Sequence, residues 1–422
     1  MHAQHTLSTH TAPGQRRGHA RISAVLLACT LMLGACGGGG GGGGGSTPVD
    51  TGDQARRVVL ADIGGEVILP AIEGFTPLAQ QLQSALDNYA ADLSSGNRDA
   101  ARTAWASAMA AFSRIEVMQL GPAAADSQMG GENLRDLIYF WPSRNECLID
   151  NAAYSNSAVN QTTRADSMGL GAIEYLLWFE GDNPNCPPDS GVNRDQARAD
   201  HAARIAAFIT TQATELQTSW QASGENFLGE FANAGAGSST YSSPQEALDA
   251  LSVALFYVEK QTKDSKIACP TGIGATGQVC TGNDVDRAEH PYARRSLASM
   301  RANVQAFRDT FTGLDGGRGI NDLLIGIDRQ DLATEILSEL DAVLNHLDTR
   351  VGPAVDGFES GVEGISSAND CSNAAANPNG GAADPAVCSL HGLIKTAMDT
   401  FRGPIVAALS LKTPDDAAGD ND

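Results

Sequence analysis

Helical periodicity runs the length of this chain, and almost nothing competes with it. Residues 97–122, NRDAARTAWASAMAAFSRIEVMQLGP, open near an asparagine, pass through an alanine-rich interior and stop at Gly121-Pro122. That is the pattern of a helix with a start and a terminator. Residues 195–220 (DQARADHAARIAAFITTQATELQTSW), 243–263, 293–313 and 329–350 are further long amphipathic stretches. The last of these starts near Asp328 and runs on strong helix formers. Alternating runs of the β type are nearly absent. The chain is therefore expected to be all-α, with two helical-bundle halves packed around a shared cleft.

The N-terminus stands outside that bundle. Arg16, Arg17 and Arg21 precede ISAVLLACTLMLGAC, residues 22–36, an apolar run too short for a comfortable membrane span. It closes on Leu33-Gly34-Ala35-Cys36, which resembles a bacterial lipobox. Residues 1–36 are thus expected to be a lipoprotein signal peptide, cut before Cys36, with the lipid carried on that cysteine. Gly37 after the cysteine, rather than Asp, points to the outer membrane, with the protein facing the periplasm. Residues 37–55, opening with the nine glycines Gly37–Gly45, read as a flexible tether. A tether of that kind has a reach of roughly 25 Å. Residues 56–235 and 236–412 are then the two halves, divided near the Gly/Ser-rich segment 233–244, and 413–422 is an acidic tail.

Charge narrows the partners. The formal net charge is −22, and cleavage removes three arginines and no acid, giving −22 − 3 = −25. Nucleic acid is excluded as a partner, and the membrane is reached through the lipid rather than through a basic surface. Cys29 leaves with the signal, and Cys147, Cys186, Cys269, Cys280, Cys371 and Cys388 remain. An even count in an exported chain reads as three disulfides. Order along the chain favours 147–186, 269–280 and 371–388, among fifteen pairings. A zinc cluster has little support, since there is no CxxC and no two of His201, His290, His346 and His391 lie at i, i+4.

Two carboxylates fall where a helix should be apolar. In GLGAIEYLLW, residues 169–178, Glu174 has Leu170, Leu177 and Trp178 within one turn, and Gly171 lies one turn before it on about the same face. A glycine there leaves room for a ligand, a water or another backbone. Trp105, Met109 and Phe112 form a stripe at i, i+4 and i+7, and Glu116 continues it at i+11. An isolated buried charge is costly, so each glutamate needs a cation. One reading pairs each with a buried Arg, Lys or Tyr. The other brings both together around a metal ion, iron or another divalent cation, in a polar pocket.

The segments AWASAMAAFSRIEVMQLGP, LRDLIYFWPSRNECLID, MGLGAIEYLLWFEG, KDSKIACPTG and DRAEHPYARRSLASMRANV, in that order, resemble the imelysin family over most of residues 75–410. The resemblance implies exported bacterial proteins, often lipoproteins, with two helical-bundle halves around a cleft. They are associated with iron or haem acquisition and were first described as metallopeptidases. The family's Gly-x-His-x-x-Glu motif falls on residues 169–174, where Gly171 replaces the histidine. With that histidine gone and no HExxH anywhere, peptidase chemistry is not expected. Glu116 matches a family feature, and Lys266, Glu289, Arg295, Ser296 and Asn303 are the cleft residues the resemblance suggests.

The expected function is therefore binding of a metal or an iron-related ligand in an inter-bundle cleft, as part of iron or haem uptake and without catalysis. One alternative is a metallopeptidase whose missing histidine is supplied by His290 or His391. Another is an envelope adaptor whose cleft is vestigial. Other nucleotide or hydrolase signatures, such as a P-loop or GxSxG, are absent.

Overall fold

The computed structural model describes residues 52–274, 280, 282–380 and 384–414. The signal peptide, Cys36, the glycine run and the tail beyond 414 lie outside the described residues. Among the described residues there is no strand. No helix among them is long and apolar enough to cross a membrane. The first helix, α1, spans Asp53–Asp62, so the chain is already helical inside the last part of the segment expected as tether.

The first half is built on α2 (Leu69–Ala91), α3 (Ser95–Ile115), α4 (Gly169–Trp178) and α5 (Arg194–Trp220). Asn193 caps α5 by accepting from the Gln196 N–H. The stripe on α3 is core: Trp105, Met109, Phe112 and Glu116 are all buried. α2 packs against both α3 and α5, and α4 against α5 and α3. α3 ends at Ile115, short of the expected stop at Gly121-Pro122, and the chain turns again at that stop. Gly121 has φ +51°, and a Cβ there would stand 2.2 Å from the Phe227 ring, so only glycine makes this turn without displacing the ring.

The second half contains α6 (Pro244–Leu255), α7 (Ser296–Thr312), α8 (Gln330–Thr349) and α9 (Ala386–Thr400). The junction before α6 is ordered. The Glu230 carboxylate gathers the Ser238 hydroxyl and the backbone N–H groups of Ser239 and Thr240, and Ser243 caps α6. Beyond α6 the chain is π-helical from Val258 to Ala268. This segment packs on α9 and on α7, while α7 also packs on α3. The described residues form one compact unit, and the contact of α3 with α7 ties its halves together. Disulfides join Cys147 to Cys186, Cys269 to Cys280 and Cys371 to Cys388, the pairing expected from order along the chain.

Candidate functional site

Glu116 sits at the C-cap of α3, fully buried. A carboxylate there faces the negative end of the helix dipole, so it needs a cation twice over. Lys266, from the π-helical segment, supplies it: Nζ lies 3.0 Å from Glu116 Oε2. The Tyr257 hydroxyl donates to Oε1 at 2.7 Å and the Asn303 amide of α7 to Oε2 at 3.2 Å. Burial pushes the Glu116 pKa up, but Lys266, Arg135 and the Tyr257 hydrogen bond together hold it below the usual carboxylate value.

Lys266 is shared. Its ammonium also reaches Glu289 Oε1 at 2.7 Å and Asn303 Oδ1 at 3.0 Å, with the Tyr257 and Trp141 rings 5.2 and 5.6 Å away. Burial opposes its charge, yet Glu116 and Glu289 outweigh burial and raise its pKa. Glu289 Oε1 also accepts from the Tyr139 hydroxyl at 3.1 Å, while its Oε2 is buried without a hydrogen bond. Burial and the nearby Glu116 leave Glu289 with a raised pKa despite Lys266 and His290.

Glu174 lies at the other end of this network. Its Oε1 accepts from the backbone N–H groups of Tyr292 and Ala293, at 3.1 and 3.0 Å. Its Oε2 meets His290 Nδ1 at 3.2 Å, with Arg144 Nη1 at 3.6 Å. Burial raises the Glu174 pKa, but His290, Arg144 and the Ala293 N–H more than reverse this. The imidazole is held on its far side by the Ser299 hydroxyl at 2.9 Å, and Glu289 lies 3.7 Å from that same nitrogen. Burial lowers the His290 pKa, and Glu289 and Glu174 overcome this to raise it. The network thus runs Glu116, Lys266, Glu289, His290, Glu174, with the first and last members on the first half and the middle three on the second.

Several expectations need correcting. Glu116 and Glu174 are not brought together around one metal pocket; each meets its own cation, the first of the two readings. The carboxyl with the raised pKa is Glu289. Gly171 opens no space for a ligand, because its missing Cβ would stand 3.4 Å from Tyr139 Cε2 and the Tyr139 ring fills that side. Arg295 is not among the described ion-pair partners of either glutamate; its neighbour Arg294 pairs with Asp356 and Glu363. Ser296 starts α7, accepting from the His290 N–H at 2.9 Å and donating its own N–H to Glu359 at 3.0 Å. Asn303, Lys266 and Glu289 are brought together, but buried within the network rather than lining the cleft. Tyr139, Arg144, Tyr257 and Ser299 join the network beyond the residues expected from sequence. None of these four carries a spacing signal, since each reaches the network across the fold.

A metal at Glu174 does not fit these residues. Both carboxylate oxygens are taken, position 171 is covered by the Tyr139 ring, and a guanidinium and an imidazole already face Oε2. Lys266 holds Glu116 in the same way. Among the described residues no group of three or more His, Cys, Asp or Glu side chains is arranged to hold a metal ion.

A small cleft of about 280 Å³ opens beside the network, walled by Trp141, Arg144, Ser265, Asp286 and Arg287. Trp141 separates it from Lys266, and Arg144 links it to Glu174.

An all-helical protein with its two halves joined by a sealed ionic network is the class that fold and site define. The imelysin family model matches residues 73–377, and the chain belongs to that family. It is 26% identical over 252 residues to Iron-regulated protein A of Synechococcus elongatus, a match covering 59% of this chain and 62% of that relative's length. The fold is shared with an imelysin-like protein from Psychrobacter arcticum, at 14% identity and a TM-score of 0.63, covering 87% of this chain and 99% of that one. A protein from Parabacteroides distasonis, described as an iron-regulated protein A precursor, has 14% identity and a TM-score of 0.60. That match covers 83% of this chain and 96% of that one.

Proposed function

We propose that this chain is an exported, non-catalytic binding protein of iron-related uptake, taking iron in an already complexed organic form rather than as a bare ion. The observation that carries this is the closure of Glu116 and Glu174. A bare divalent cation would have to displace Lys266 from one or face Arg144 and His290 at the other. The relative described as iron-regulated supports the setting. The cleft beside Trp141 and Arg144 adjoins the network through Arg144 and is the place proposed for the ligand. The lipobox supports anchoring at Cys36 in the outer membrane, facing the periplasm, next to iron or haem uptake components.

The test is a calorimetric titration of the purified mature protein with ferric, zinc and cupric salts, with haem and with a ferric organic chelate. Haem or the chelate is expected to saturate at one equivalent, and the simple salts are not. One-to-one binding of a simple salt, abolished by Glu174→Gln, would restore the metal-ion reading. Metal-dependent cleavage of a peptide library would restore the peptidase. The adaptor reading draws on the same closed glutamates and predicts no binding at all. Cys36→Ala is expected to release the protein from the membrane fraction or leave it unprocessed.

A further inference from the structure

The side chains around the 280 Å³ cleft have donors to spare. Arg144 is held without being used up. Its guanidinium lies over the Tyr292 ring at 4.8 Å and stands 3.6 Å from Glu174 and 3.7 Å from Glu146, ion-pair distances too long for hydrogen bonds. Its Nε, the atom that faces Glu146, is buried and makes no hydrogen bond. Arg287, on the same cleft, spends Nε on Asp284 at 3.1 Å, and its Nη1 is likewise buried with no partner. A charged donor that makes no hydrogen bond is costly to bury. Two arginines with hydrogen-bonding capacity left over thus line one cleft.

We propose that the cleft between Trp141, Arg144 and Arg287 binds the carboxylate of an organic anion. Guanidinium forks match the planar, two-oxygen geometry of a carboxylate. The Trp141 indole and Ser265 complete the walls with an apolar face and a hydroxyl. Glu146 and Glu174 beside Arg144, and Asp284 and Asp286 beside Arg287, offset the two guanidinium charges, so the cleft carries no positive excess. That balance disfavours a dense polyanion, and what the arginines offer a single carboxylate is unspent hydrogen-bonding geometry rather than net charge. The volume lies just under the usual 300–1,000 Å³ of small-molecule pockets, so the cleft takes an acid arm of a ligand and leaves the remainder outside. The proposal rests on the reading of this chain as a binding protein, and it names the part of the ligand that is recognised.

Calorimetric titration of the purified mature protein tests it, with iron-free citrate, ferric citrate and inorganic phosphate as probes. Citrate is expected to bind the wild type, with Kd raised at least tenfold in Arg287→Gln and in Arg144→Gln. Arg301→Gln, which breaks an exposed pair with Asp348 far along α7, is expected to leave Kd unchanged. Because Arg144 touches the buried network, Arg287→Gln is the decisive variant should Arg144→Gln unfold. Citrate that binds with or without iron and responds to Arg287 supports the site even where the iron reading fails. Ferric citrate that binds equally well to wild type and both variants overturns the site while leaving the binding reading intact. No citrate binding at millimolar concentration, or tighter binding of phosphate than of citrate, also overturns it.

Discussion

At the scale of single residues, His290 decides how the network responds to pH. Its pKa is raised above the ordinary 6.5, because Glu289 and Glu174 outweigh burial. Its protonation therefore stabilises the fold in full below pH 6.5 and is lost as pH rises through the folded value. Glu289, also raised, acts in the same direction: its contribution is present below about 4.5 and fades as pH climbs through its folded value. Glu116 and Glu174 are lowered from 4.5, so they stabilise above that pH and lose the contribution as pH falls through their folded values. The thermal midpoint is accordingly expected to decline on both sides of a mildly acidic maximum. His290→Gln should flatten the decline above pH 6.5 and leave the acid side in place. An unchanged alkaline slope in that variant, measured by scanning calorimetry between pH 4 and 9, would mean that His290 is neutral in the fold.

At the scale of elements, the short helix Glu146–Tyr154 shows how a covalent tie supports the cleft. Asn145 caps it by accepting from the Leu148 N–H, Arg144 lies just before the cap, and Cys147 is bonded to Cys186, 39 residues on. Removing this bridge with Cys147→Ser and Cys186→Ser is expected to cost about 2–4 kcal/mol in urea denaturation. A loss well under 1 kcal/mol would show that packing alone holds the segment. The elements also show what the sequence could tell. Counting along the Trp105, Met109, Phe112, Glu116 stripe is enough to place Glu116 in the core, because α3 keeps its 3.6-residue period to the end. Lys266 was not reachable by counting. The chain from Val258 to Ala268 is π-helical, with i→i+5 bonding, so a face counted from Leu255 does not carry through to residue 266. Resemblance supplied Lys266, Glu289 and Asn303, but it did not say which carboxylate each would meet. The partners of Glu174 were hidden for another reason. Two of them are the main-chain N–H groups of Tyr292 and Ala293, and a backbone donor has no residue type to recognise.

At the scale of the molecule, the ionic network is also the seam between the halves. Lys266 joins Glu116, His290 joins Glu174, Tyr139 joins Glu289 and Arg114 joins Asp309, each bond linking the segment before residue 235 to the segment after it. Such bonds leave neither half with a complete interior of its own, which fits the single compact unit formed by the described residues. The protein is therefore expected to unfold in one transition, with calorimetric and van't Hoff enthalpies in agreement. Lys266→Met tests the seam directly. It leaves Glu116 and Glu289 buried without their cation, and breaking a buried pair in this way typically costs about 3–5 kcal/mol. The midpoint should fall as a whole, with the single transition kept. Adding Glu116→Gln removes one of the stranded charges, so the double variant should be more stable than the sum of the two single losses predicts, a coupling of about 0.5–3 kcal/mol for groups in contact. Two separate transitions in the wild type, with Lys266→Met moving one and not the other, would show that the halves fold independently and that the network only spans their interface.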